Sequence, residues 1–239
     1  MNFSAFEEVV SKERIRRYVR ACRGDKRKAM TLYRYNLALS GEMLKIINYF
    51  EVALRNRIND VMIKYYGPDW LRDGCLSGGF FDNPRTAKSQ KIINNAFRGL
   101  SEIGIYTHTQ LLAEMDFGIW KYMYTGPQYK ATGQVLLEAF PDKPKSSDLN
   151  QLDNKYIFNE LNHINQIRNR IAHHEPICFQ PKKPIISIDY TRQEYLRIRK
   201  LLSWMGIDDM GLMYGIDHIE EACDKIMRLS SFCFSVHNQ

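Results

Sequence analysis

The chain has 239 residues, 44% of them hydrophobic and 26% charged, enough apolar content to bury a sizeable core as one domain with appendages. A net charge of +7 and a pI of about 9.1 suit a polyanionic partner, although the excess is moderate beside that of dedicated nucleic-acid binders. No stretch approaches the roughly eighteen uninterrupted apolar residues of a membrane span. The opening MNFSAFEEVV carries early acids and no apolar signal segment, so a cytoplasmic protein without membrane contact is expected.

In chain order the pattern predicts helices almost throughout. Ser4 to about Arg23 reads as one basic amphipathic helix broken by Gly24, and a second helix runs from about Asp25 to Ala38. Ser40 is a candidate cap for a long helix to about Tyr66, with Ile47, Phe50, Leu54, Ile58 and Val61 on its apolar face. Residues 67–87, with Pro68, Pro84 and several Gly and Asp, read as an irregular connection. Further helices are expected at about 88–103, 108–124 and 127–140. The run PDKPKSSD at 141–148 is a turn whose end caps a helix over about 148–174. The stretch EPICFQPKKPIISIDY is loop with a brief extended segment at Ile185–Ile188, followed by helices at about 191–204, 207–213 and 216–233. The fold class is therefore all-α, in one domain over 1–239, with basic N-terminal helices (1–39), a core that includes the 148–174 helix (40–174) and a loop with C-terminal helices (175–239).

Chemistry concentrates at one place, Arg168-Asn169-Arg170-Ile171-Ala172-His173-His174-Glu175-Pro176. Stepping back from Ile171 at helical spacing gives Arg168, Ile164, Leu161 and Ile157, an apolar stripe with an arginine in one slot. Arg168 is thus expected to face the core or an interface, where a guanidinium without an anion is costly. Asn169 and His173 are four apart and share a face, and Pro176 should stop the helix at about His174. The negative end of the helix dipole favours imidazolium there while the neighbouring arginines oppose it, so the net sign is open.

Arg, Asn and His suit attack of an RNA 2′-hydroxyl on its own phosphate. An imidazole moves protons near neutrality, and a guanidinium fork grips phosphate oxygens. The spacing alone is weak, because a polar, basic last turn also describes an ordinary helix C-terminus.

The run RNRIAHHEPI, with FEVALRNRIN at 50–59 and FGIWKYMY at 117–124, resembles the Abi-like (abortive infection) family, placed in the wider HEPN superfamily. The resemblance spans about residues 30–200. It implies a HEPN-like helical bundle with extra N- and C-terminal helices, and a metal-independent endoribonuclease site of the R-x4-H type, usually at a homodimer interface. It implies Arg168 as the motif arginine, Asn169 as the polar residue after it and His173 as the motif histidine, with His174 as the alternative. The runner-up reading is a catalytically inactive RNA-binding or regulatory partner, and a third is a purely structural helical protein.

Three other features of the sequence have a bearing on function. Glu51 and Arg55, four apart with the acid first, are an ordinary helical pair or a supporting partner of the motif. A basic segment including Arg16, Arg17, Arg20, Arg23, Lys26, Arg27 and Lys28, with Tyr18, Tyr33 and Tyr35 interleaved, is either a solvated face or an RNA track whose tyrosines stack on bases. The six histidines and five cysteines show no metal-ligand spacing and Gly78-Gly79 lacks a P-loop lysine, so neither metal nor cofactor is expected and the thiols read as reduced. The expected partners are RNA and a second copy of the chain, with a small non-coding RNA or an antitoxin as further candidates.

Overall fold

The computed structural model describes residues 1–147 and 151–234. Among them are twelve α-helices, a short 3₁₀ turn at Val135–Ala139 and no β-strand, so the protein is all-α. Contacts gather the chain into two compact units. One comprises Met1–Asn48, Gln166–Ile198 and Met210–Gln239, the other Tyr49–Asn165 and Arg199–Asp209.

The first unit opens with α1 (Phe3–Val10) and α2 (Lys12–Ala21) in place of the single predicted helix. Ser11 divides them: it takes a left-handed φ of 72° and its hydroxyl accepts from the Arg14 amide at 3.4 Å, which starts α2. Gly24, at φ 90°, stands in the turn that separates α2 from the next helix, the break expected there. Helix α3 (Lys26–Tyr66) then runs unbroken through 41 residues, so Ser40 lies inside it rather than capping a new helix. The physical reason is phase. Leu39, Met43, Ile46 and Ile47 continue the buried face across Ser40-Gly41, and that burial outweighs the cost of about 1 kcal/mol for a mid-helix glycine. An aromatic cluster closes this end of the unit: Tyr18 packs on Tyr33 and on Phe179 at 5.1 Å between ring centres, and Phe6 meets Tyr33 edge-on at 5.4 Å.

The second unit is built on the later part of α3, where Phe50, Leu54, Ile58 and Met62 are fully buried. Its helices are α4 (Trp70–Asp73), a short piece within the expected irregular connection, α5 (Ala87–Glu102), α6 (His108–Ala113), α7 (Phe117–Tyr122) and α8 (Gly126–Ala131). The predicted 108–124 helix is interrupted because Asp116 caps α7, accepting from the Ile119 amide at 3.1 Å. Asn59 Oδ1 receives the Trp70 indole here and lies 2.9 Å from His108 Nε2, whereas His108 Nδ1 and the Trp120 indole nitrogen are buried without a hydrogen-bond partner among the described residues. Lys121 reaches Asn162 at 3.1 Å and lies under the Phe158 ring.

Helix α9 (Asn154–Ala172) carries the motif. Asp153 starts it, accepting from the Tyr156 amide at 2.9 Å; the expected cap at Asp148 lies outside the described residues. After it the chain forms one antiparallel bridge, Phe179 to Ile186, where a short extended segment was expected. Helices α10 (Asp189–Trp204), α11 (Asp209–Leu212) and α12 (Ile219–Phe234) complete the chain. No helix among the described residues is long and apolar enough to cross a membrane.

Candidate functional site

The end of α9 is a two-bond C-terminal lock. The Glu175 amide donates to the Arg170 carbonyl at 2.7 Å and the His174 amide to the Ile171 carbonyl at 2.9 Å, the pairing that closes a helix when the residue between is left-handed. That residue is His174, at φ 55°, a place usually held by glycine. Pro176 follows, as the sequence requires, and the helix yields to the turn one to two residues before the expected stop.

The turn is held from several directions within the first unit. Asn36 of α3, almost fully buried, accepts from the Ile177 amide at 2.9 Å and the Cys178 amide at 3.2 Å, so two donors that no helix satisfies find a partner. The Thr191 hydroxyl donates to the Ile177 carbonyl at 2.8 Å. Arg170 donates to the Pro176 carbonyl at 2.6 Å, pairs with Glu175 at 3.4 Å and stacks its guanidinium 5.0 Å from the Tyr190 ring centre. From α2, Arg14 donates to the His174 carbonyl at 3.3 Å. Arg17 donates to the carbonyls of Gln180 at 3.0 Å and Lys183 at 2.5 Å, with its guanidinium 4.6 Å above Phe179.

On this scaffold Arg168 occupies the margin of the core rather than a slot in it. The buried stripe steps from Ile164 to Ile167 to Ile171, and Ile167 takes the place the spacing had given to the arginine. Arg168 is half-buried and lines an open groove of about 410 Å³ against α3, whose wall is Leu37, Gly41, Leu44 and Asn48. A Cβ added at Gly41 would meet nothing, so the groove is open there. The Arg168 side chain donates to Asn169 Oδ1 at 3.5 Å, and no carboxylate pairs with it among the described residues. His174 lines the same groove. Asn169 and His173 are exposed and joined through the backbone, the His173 amide donating to the Asn169 carbonyl at 2.9 Å; they do not line it.

The supporting pair Glu51 and Arg55 is half-buried on the part of α3 that belongs to the second unit. The basic segment divides. Arg16, Arg20, Arg23, Lys26 and Arg27 are exposed and Lys28 is half-buried, whereas Arg17 is spent on loop carbonyls, and burial lowers its pKa first, with the charge of Arg170 second. Tyr18 is buried and Tyr33 half-buried in the aromatic cluster, which removes them as stacking platforms for bases. Sequence reasoning missed Asn36 and Lys182, and it placed Arg14 only in the basic run without its bond to the motif turn, because what these residues do depends on neighbours more than a hundred residues away. Among the described residues no group of three or more His, Cys, Asp or Glu side chains is arranged to hold a metal ion.

Fold and geometry together define an all-helical protein in which α9 ends in a strained arginine–histidine turn beside an open groove. The particular lineage follows from comparison: the family model described as Abi-like protein matches residues 2–178, and the chain belongs to that family. Neither a curated protein nor a solved structure matches the chain.

Proposed function

We propose that this Abi-like protein is a metal-independent endoribonuclease of the HEPN superfamily, acting in abortive infection or as a toxin, with an active site completed by a second copy of the chain. The observation that carries this reading is Arg168, a half-buried residue that no carboxylate pairs among the described residues, in one groove with His174 and with Glu175, whose carboxylate pairs with Arg170 instead. A cation with no carboxylate partner on the wall of an open groove is placed to receive a visiting anion.

In the proposed reaction the 2′-hydroxyl of RNA attacks the adjacent phosphorus as an imidazole removes its proton. Arg168 stabilises the extra charge on the non-bridging oxygens, and an imidazolium protonates the departing 5′-oxygen, leaving a 2′,3′-cyclic phosphate and a 5′-hydroxyl. One imidazole cannot serve both sides of phosphorus in line, and a second copy related by a twofold axis supplies the other. The shared groove supports His174 as the imidazole beside Arg168. His173, on the side of Asn169, is the second candidate, and Asn169 would orient an imidazole or the ribose.

The test is cleavage of RNA by the purified protein in EDTA, with product ends identified by mass spectrometry. Cyclic phosphate ends are expected, and Arg168→Ala and His174→Ala should each lower the rate by about a hundredfold or more. A His173→Ala/His174→Ala double variant that cleaves at the unmodified rate sinks the site, and abolition of cleavage by EDTA sinks the metal-independent mechanism. Sedimentation that finds an active monomer removes the two-copy arrangement.

A further inference from the structure

Beyond the motif turn, the sequence KERIRRYVRA winds Glu13, Arg16, Arg17 and Arg20 onto one face of α2 at spacings of three and four. Facing them is the loop at 181–184, and between lies a cleft of about 230 Å³ lined by Glu13, Arg16, Arg17, Arg20, Lys182 and Pro184. Four of the six lining residues are cations and one is an acid. Arg17 makes the cleft rigid, because its two carbonyl bonds fasten the loop to α2 from Gln180 to Lys183. The loop in turn holds Lys182 in a left-handed conformation at φ 64°. Arg16, Arg20 and Lys182 are exposed, and no carboxylate pairs with any of them among the described residues.

Like charges gathered across a concave wall repel one another unless an anion enters. We infer that this cleft is an anchoring site for the phosphodiester backbone of single-stranded RNA, with Arg16, Arg20 and Lys182 as its contacts and Arg17 as the clamp that shapes it. The choice of RNA as the polyanion rests on the function proposed above. A membrane surface is disfavoured because α2 has no apolar wedge to insert: Ile15 and Tyr18 are buried within the unit. With Tyr18 and Tyr33 committed to the aromatic cluster, the readout is of phosphate and not of bases, so binding is tolerant of sequence. Arg14 of the same helix bonds the His174 carbonyl, so a strand held in the cleft lies along the helix that braces the motif turn.

The experiment uses a labelled 2′-O-methyl RNA of mixed sequence, which has no nucleophile and cannot be cleaved by the proposed reaction. Its affinity is measured against KCl for the wild type, for Arg16→Gln/Arg20→Gln/Lys182→Asn, and for Arg85→Gln/Lys91→Gln/Lys155→Gln, which removes the same charge from exposed positions elsewhere. Asparagine is chosen at 182 because it tolerates the left-handed backbone. Losing three phosphate contacts should lower the slope of log affinity against log salt by about 2, and affinity at about 0.1 M salt by roughly a hundredfold, with thermal stability unchanged. The control triple should keep the wild-type slope to within about 0.7. An unchanged slope in the cleft variant, an equal loss in the control, or cleft-dependent binding to anionic vesicles with RNA affinity intact overturns the inference. Wild-type protein that binds this probe through the cleft but never cuts ordinary RNA removes the nuclease reading and leaves the cleft. Cleavage with an unaltered slope in the cleft variant does the reverse.

Discussion

His174 sits where a helix of this kind normally ends in glycine, and its replacement separates folding from function. At φ 55° a side chain with a Cβ pays roughly 1–2 kcal/mol, near the lower end for histidine, which visits this region more readily than most residues. The two closing bonds, at 2.7 and 2.9 Å, and the bond from Arg14 all involve backbone atoms of the turn, and the imidazole is exposed, so no packing is lost on its removal. Glycine relieves the strain but costs about 0.5–1 kcal/mol in the unfolded chain, whereas alanine keeps the strain. His174→Gly should therefore be more stable than His174→Ala by about 1 kcal/mol, or roughly 2–4 °C in Tm for a chain of this size, and at least as stable as the wild type. The assay is reversible thermal or urea unfolding of the three proteins by circular dichroism, with RNA cleavage measured in parallel. Both variants should lose cleavage. Glycine less stable than alanine would refute the argument that this residue is held under backbone strain.

Three further outcomes follow from the same structure. Asn36→Leu keeps the size of the side chain but strands the Ile177 and Cys178 amides, so it should cost about 3 kcal/mol, read as a fall in the urea midpoint without a change in slope. His108 is half-buried, burial lowers its pKa, and its Nε2 meets Asn59 Oδ1, so the unfolded chain takes up a proton before the folded one does. Its share of stability is complete above the usual value near 6.5 and declines as pH falls below it, and His108→Gln should flatten Tm between about pH 7.5 and 5. Cys22, Cys75, Cys178 and Cys223 are buried, and burial pushes the Cys75 thiol up to about 12 and Cys223 to about 11. Peptide mapping after native treatment with a thiol reagent at about pH 8 should find none of the four modified, and rapid labelling of Cys178 would show that the loop behind the motif opens.

Local pattern was enough for the existence of most helices and for the position of the motif. The 3.6-residue rhythm of Ile157, Leu161, Ile164 and Ile171 announced α9, and every one of those residues is buried. Pattern failed where two signals of similar size competed. Ser40-Gly41 reads like a helix start, yet the apolar phase that passes through it wins. Ser11 reads like the middle of a basic helix, yet its backbone breaks the helix in two. Arg168 and Ile167 are adjacent, and only packing decides which of them enters the core. The basic segment shows the deeper limit. Arg16 and Arg17 are neighbours of identical chemistry, but one faces open solvent and the other is consumed by carbonyls 163 and 166 residues away. Nothing local distinguishes them, because the distinction belongs to the tertiary contact.

That contact also explains why the motif and the basic helix belong to one device. The turn after Ala172 has no sheet or helix to satisfy its backbone, and it is fixed instead by side chains: Asn36 on two amides, and Arg14, Arg17 and Arg170 on carbonyls on both sides of the proline. Arginine is suited to this because one planar fork can reach two acceptors and still stack on Phe179 or Tyr190. A turn fastened this many ways can hold a histidine in a left-handed conformation that a loose loop would relax, and it keeps Arg168 and His174 on one groove before any ligand arrives. Preorganisation of that kind removes the protein's own share of the ordering cost of the RNA binding proposed above. The arginines that brace the turn are therefore as necessary to the proposed chemistry as Arg168, and Arg17→Met should lower cleavage through a disordered 174–183 loop even though Arg168 and both histidines remain in the chain.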